Sequence, residues 1–339
     1  MAGNDFIEVL KRHRKDIKIG LALSSGAAKG EAHVGVLKAI IERDIPISVI
    51  AGTSAGAIVG AYFASRGNVD GLEEFIYNVK PKVMTDMMSL DLALQFKGFI
   101  GEKKSLKWLK DLIGGVYFSD LKIPLAIVTT DMNSGEQVII TKGSVLEAVR
   151  ASMAMPVIFT PTRSQARFLV DGGFSNPLPV DVAKNMGATF VIASNVTRTP
   201  EVVRDEFKRS LNAAHDIVLS KELEKAREEF MKDIAEASGA ATAGETDDIP
   251  NMFNVLASAV YTMEWTLAKS KMREADITIS PDLQHIGMLD FYRGREVVAK
   301  GYEAASKIIS RFINRLKLRQ GSRLTFFERL RKMGMASFI

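Results

Sequence analysis

At 339 residues the chain has room for one large domain or two ordinary ones, and 47% apolar with 25% charged residues is the composition of a folded globular protein. It has no cysteine, which removes disulfides, thiolate metal sites and cysteine nucleophiles together. Its four histidines, His13, His33, His215 and His285, include no i, i+4 pair, so neither a metal nor another cofactor is expected. The formal charge of +5 is unevenly spread, because residues 307–339 hold nine Lys or Arg against one Glu, a net of +8. That asymmetry points to an anionic partner surface, read here as a membrane and not a nucleic acid.

The opening MAGNDFIEVLKRHRK lacks the apolar core of a secretory signal, and residues 1–16 read as a basic N-terminal segment. The uncharged window 45–65 is long enough to cross a bilayer, but Pro46, Gly52, Gly56 and Gly60 break it. A strand turning into a buried helix explains it better, so the expectation is a cytoplasmic, peripherally membrane-associated protein.

In chain order, β-branched runs at Ile17 to Leu23, Val49 to Thr53, Leu125 to Thr130, Gln137 to Thr141, Phe168 to Val170, Phe190 to Ala193 and Asp276 to Ile279 predict strands. Helical spacing lies between them at Ala32 to Arg43, Ser54 to Ser65, Lys103 to Ile113, Val145 to Ser152 and Pro179 to Met186. The alternation predicts an α/β domain with a largely parallel sheet, over residues 17–306. A long amphipathic helix from Val203 and a loop over 235–250 form an insertion at about 201–250, and helices follow from Asn251 to Arg273 and from near Asp290 to about Arg319. Residues 307–339 are set apart as basic amphipathic helices, with Phe312, Phe326, Phe327, Leu330 and Met333 opposite Lys and Arg. They are expected at a membrane surface, with docking on the body or a homo-oligomer contact as alternatives.

Three stretches carry chemistry. Gly52-Thr53-Ser54-Ala55-Gly56 has G-x-S-x-G spacing between a β run and a helix pattern, where a serine hydroxyl is exposed on a tight turn. Neither His215 nor His285 is well placed as its base. Asp171 ends a strand and precedes Gly172 and Gly173, which makes it the better candidate, or else an Asp that opens a turn. Ser25-Gly26-Ala27-Ala28-Lys29-Gly30 follows the first strand, and its backbone N–H groups suit an oxyanion or a phosphate.

Together, in this order, the three stretches resemble the patatin-like phospholipases. Thr130-Asp131, Gly135-Glu136, the run Ala151 to Pro156, Asn176-Pro177 and the stretch Ala275 to Asp290 add to the likeness. The resemblance implies a three-layer α/β/α sandwich and a lipid acyl hydrolase acting on phospholipid or other lipid esters. It implies Ser54 as nucleophile, Asp171 as base, an oxyanion hole from Ser25, Gly26, Ala27 and Ala28, and a structural His33. Lys29, Gly30, Gly52, Gly56, Gly172 and Gly173 support the motifs. Acyl transfer, thioester cleavage and a weakly active membrane-binding relative are the alternatives. The family's triple glycine is Ser25-Gly26-Ala27 here, and a Cβ at position 27 penalises positive φ.

Overall fold

The computed structural model describes residue 6 and residues 16–79, 102–156, 159–164, 166–197, 199, 252–288 and 290–318, with backbone alone at 102–106, 252–257 and 316–318. The helix expected from Val203, the loop 235–250 and the second tail helix lie outside these residues. The chain divides into two units, residues 1–198 with 263–339 and residues 199–262. Of the second, Thr199 and the first part of one helix are described.

Among the described residues the strands are β1 (Ile19–Leu23), β2 (Val49–Thr53), β3 (Leu125–Asp131), β4 (Gln137–Ile140), β5 (Thr162–Ser164), β6 (Arg167–Asp171), β7 (Phe190–Ser194) and β8 (Ile277–Ile279). The helices are α1 (Ala32–Ile41), α2 (Ala55–Arg66), α3 (Asp70–Tyr77), α4 (Glu102–Ile113), α5 (Val145–Ser152), α6 (Val180–Asn185), α7 (Met252–Met272) and α8 (Gly294–Leu318). None of them is long and apolar enough to cross a membrane.

One eight-stranded sheet carries the first unit. Strands β3, β2, β1, β7 and β8 pair parallel in that order, and every residue of β1, β2 and β7 is buried, as fits strands covered on both faces. On one face Leu21, Leu23, Ile50 and Ile127 pack with residues of α1, α2, α4 and α8. On the other, Ala22, Ala51, Val128 and Ala193 pack with α6 and the C-terminal half of α7. This is the three-layer α/β/α sandwich. The β4–β6 portion is antiparallel, so the sheet is mixed.

A strand has only two edges, and the registers around β3 use this to build the site. β4 occupies one edge from Ile127 to Thr130, so β2 (Ile50↔Leu125 to Thr53↔Val128) and β6 (Thr129↔Asp171 onward) share the other. β2 runs one way and β6 the other, and their C-terminal ends meet head on, opposite the neighbouring residues Val128 and Thr129.

The C-terminal helix has nearly the expected span, and over residues 309–313 its apolar stripe follows the docked alternative. α8 runs unbroken through residue 307, and Ile309, Phe312 and Ile313 are buried in the main core. The Phe312 ring packs inward, 5.6 Å from Phe190 and 5.7 Å from Phe6. Burying three large apolar side chains against the sheet outweighs any gain from the headgroup boundary, so this stripe docks on the body. α8 also crosses α1 at backbone contact, where a Cβ on Gly35 would lie 1.9 Å from the Val298 carbonyl oxygen and one on Gly301 would lie 2.1 Å from that of Ala32. α8 is thereby locked to the helix that follows the glycine-rich loop.

Candidate active site

β2 delivers Ser54 to a turn that few residues adopt. Its φ of 53° and ψ of −117° lie outside the regions open to L-residues, and α2 starts at the next residue. Gly56 lets that helix press on β1, since a Cβ there would come within 2.3 Å of the Leu23 carbonyl oxygen; Gly52 faces Gly56 just as closely. The strained serine is held from below. Its N–H donates to Ser152 Oγ at 2.8 Å, and the Ser152 hydroxyl donates to the Val128 carbonyl at 2.6 Å.

β6 brings Asp171 in from the opposite direction. Ser54 Oγ donates to Asp171 Oδ2 at 2.6 Å, across 117 residues of sequence. The N–H of Gly173 donates to Oδ1 at 2.8 Å, and Thr130 Oγ1 donates to the Asp171 carbonyl at 2.9 Å. Asp171 is 3% exposed. Burial pushes its carboxyl up from 3.8 to about 6, although the bonds from Ser54 and Gly173 favour the charged form. Asp171 is thus ionised near neutral pH yet basic enough to take a proton. Gly172 packs on the Val128 carbonyl, and the space a Cβ would need on Gly173 is filled by Glu264 Oε1 from α7, 1.9 Å away.

The loop after β1 winds into a short 3-10 helix, Ala27–Glu31. Of the four expected oxyanion residues, two have their amides occupied: Ser25 N–H donates to the Pro177 carbonyl at 2.9 Å and Ala28 N–H to that of Met288 at 3.2 Å. Of the four, the Gly26 and Ala27 amides have no partner among the described residues, which leaves these two as the candidates. Gly26 cannot gain a Cβ, because Val196 Cγ2 stands 2.6 Å from its position. Ala27 does adopt the positive φ that its Cβ penalises, at 49°. Gly30 rests on Ala55 in the first turn of α2, so the free amides belong to a loop packed beside Ser54; Lys29 is buried with its polar contacts made.

His33 is fully buried; its Nδ1 shares a 2.7 Å bond with Ser194 Oγ and its Nε2 a 3.0 Å bond with the Ser24 carbonyl. Burial lowers its pKa to about 4, so the ring is neutral: Nε2–H donates to the carbonyl and Nδ1 accepts from the serine. It rivets the ends of β1 and β7 and does not touch Ser54. His285 sits at the surface on Glu296, and His215 lies outside the described residues. Sequence reasoning missed the support roles of Ser152 and Glu264. Ser152 falls in the quoted run Ala151 to Pro156 and had a signal; Glu264, in a helix distant in sequence, had none.

Residues 21–184, which hold the loop, Ser54 and Asp171, match the model of the patatin-like phospholipase family. These residues form a patatin-like phospholipase domain. A relative described as an uncharacterised NTE family protein of Mycobacterium bovis is 28% identical over 335 residues, 87% of this chain and 92% of that one. Neuropathy target esterase sws of Drosophila melanogaster is 36% identical over 183 residues, 52% of this chain but 13% of that much longer protein. Among solved structures, VipD from Legionella pneumophila is similar at 16% identity with a TM-score of 0.41, covering 87% of this chain and 67% of that one. A human GIVD cytosolic phospholipase A2 in complex with a fluorophosphonate is similar at 10% identity and a TM-score of 0.42, covering 94% and 62%. The matched residues run from β1 to α6 and include the loop and both polar residues.

Proposed function

We propose that the protein is a serine-dependent lipid acyl hydrolase in which Ser54 is the nucleophile and Asp171 its base. Ser54 Oγ attacks the carbonyl carbon of a carboxylic ester while its proton passes to Asp171 Oδ2. The tetrahedral oxyanion is received by the Gly26 and Ala27 amides. Collapse breaks the bond to the alcohol oxygen, which takes the proton from Asp171 and leaves. Water then attacks the acyl-serine, giving a proton to Asp171; collapse breaks the acyl–Oγ bond, Asp171 returns the proton to Ser54 Oγ, and the fatty acid leaves. Each oxyanion donor is worth ~10² to 10³ in rate.

The single observation that carries this reading is the 2.6 Å bond from a strained, helix-capping serine to a buried carboxylate whose pKa stands at about 6. With His33 neutral and engaged elsewhere, the mechanism needs no imidazole. The substrate class, a phospholipid or another lipid ester, follows from the family, and the enzyme would meet it at a membrane surface. Acyl transfer and thioester cleavage share the same acyl-serine and differ only in acceptor or leaving group.

The test is labelling with a fluorophosphonate ester followed by peptide mass spectrometry. A single adduct on Ser54, absent from Ser54→Ala, together with release of fatty acid from phosphatidylcholine or its lyso form, is the expected result. An unlabelled wild-type protein with no turnover on short- or long-chain esters would leave a binding protein in its place.

A further inference from the structure

Along the outer edge of the sheet, between β8 and α8, runs a groove of about 440 Å³. Ala304, Ile308 and Phe312 give it an apolar floor, and Lys300, Lys307, Arg311 and Arg315 of α8 line it together with the hydroxyl-bearing Thr278 and Ser280. Lys307 and Arg311 are decisive. They stand one helical turn apart, where like charges repel, both are exposed, and neither has an ion-pair or hydrogen-bond partner among the described residues. Three acidic residues also line it: Asp276 accepts from the Val191 amide at 2.8 Å, Asp282 from the Gln284 amide at 3.5 Å, and Glu303 pairs with Lys300 at 3.9 Å. Two adjacent free cations over an apolar trough suit an anion that carries its own hydrocarbon. A free phosphate would satisfy the rim and leave the floor wet.

The groove spans the depth of the sheet. Ile279, Ser194, Leu23 and Gly52 lie in one row across the sheet, so Ser280, at one end of the groove, stands level with Thr53 and three strands from it, about 14 Å away. Lys307 and Arg311 stand toward the other end, because the next residue, Phe312, meets Phe190 at the start of β7.

We propose that this groove seats an anionic phospholipid, with its phosphate between Lys307 and Arg311 and the first methylenes of one chain on the Ala304–Ile308–Phe312 strip, anchoring the protein on a bilayer. The idea rests on the lipid-hydrolase reading only in that a bilayer is where such a substrate is found. Binding itself needs no turnover.

The experiment is flotation of the full chain with vesicles of phosphatidylcholine alone or with phosphatidic acid, using wild type, Lys307→Ala/Arg311→Ala, and a control pair of equal charge loss, Lys110→Ala/Lys142→Ala. Anionic vesicles should carry wild type and the control, and the groove variant should bind about fivefold more weakly per side chain removed, some 25-fold in all, the effect of single basic residues near an anionic surface. Hydrolysis of a soluble short-chain ester should be the same in all three, so loss of that activity in wild type would sink the hydrolase reading and leave the groove untouched. Equal flotation of groove variant and wild type would overturn the proposal, as would an equal loss in the control, which would mean diffuse surface charge. Release of bound wild type by millimolar glycerol phosphate as complete as by free phosphatidic acid would overturn the lipid and assign a soluble phosphate.

Discussion

Replacing Asp171 by asparagine should remove turnover and make the protein more stable at pH 8. Asparagine can keep both side-chain bonds, its Oδ1 accepting from Gly173 N–H and its amide donating to Ser54 Oγ, so the geometry survives. What disappears is a buried charge. The native carboxyl titrates at about 6 and the unfolded one at 3.8, a gap of about two units, so holding it ionised in the native state costs about 3 kcal/mol. The sign follows from proton counts. Between the two values the native state binds more protons than the unfolded one, so this group's contribution is fully present below pH 3.8, falls as pH rises through about 6, and is flat above. Urea unfolding at pH 4 and pH 8 is the assay. Wild type and Asp171→Asn should match at pH 4 within ~0.5 kcal/mol, and the variant should gain 1 to 3 kcal/mol (roughly) at pH 8. A variant no more stable than wild type at pH 8 would refute the argument, because Asp171 would then be neither as desolvated nor as basic as its burial implies.

The other expectations can be checked with the same protein. The kcat/KM for a soluble ester should rise with pH through about 6 and then level, since Asp171 must be ionised, and His285→Ala should leave the profile unchanged; a limb that moved with His285 would demand an imidazole base. Ala27→Gly should release ~1 to 2 kcal/mol of left-handed strain and cost ~0.5 to 1 in chain entropy, so the melting temperature should hold or rise slightly and turnover should not fall. A large drop in melting temperature would show that the methyl group packs usefully. Truncation after Ser306 removes the buried Ile309, Phe312 and Ile313, each worth ~1.5 to 3 kcal/mol, which is of the order of a whole domain's stability. The shortened chain should therefore lose cooperative unfolding by circular dichroism as well as soluble esterase activity; a folded, active truncation would contradict the core role of α8.

Strands with continuous apolar runs were readable because burial on both faces leaves no other letters for them. Val49–Thr53 and Val145–Ser152 appear with the expected limits. β5 was missed, a three-residue edge strand reading Thr-Arg-Ser, too short and polar to show a period. α3 was also missed, its Leu72 and Ile76 too few to outweigh its charges. At the site, Ser54 and Asp171 were legible because strand ends followed by glycine have a recognisable grammar. Which loop amides stay free was not legible: Ser25 and Ala28 lose theirs to carbonyls of Pro177 and Met288, more than a hundred residues away. The amphipathic stripe of α8 was legible as a stripe, but nothing in a period says whether it meets lipid or the protein's own sheet.

The head-on meeting of β2 and β6 makes β3 a ruler. Ser54 and Asp171 have no bond along a common strand; their separation is fixed because Thr53, next to Ser54, is keyed to Val128 on β3 and Asp171 to Thr129. A one-residue insertion between those two would part the pair by about 3.3 Å and turn one side chain to the opposite face of the sheet, while both strands could still pair. The turn between β3 and β4 carries no such coordinate. Length changes there should be absorbed, whereas at the middle of β3 a single added residue should erase activity from a protein that still folds.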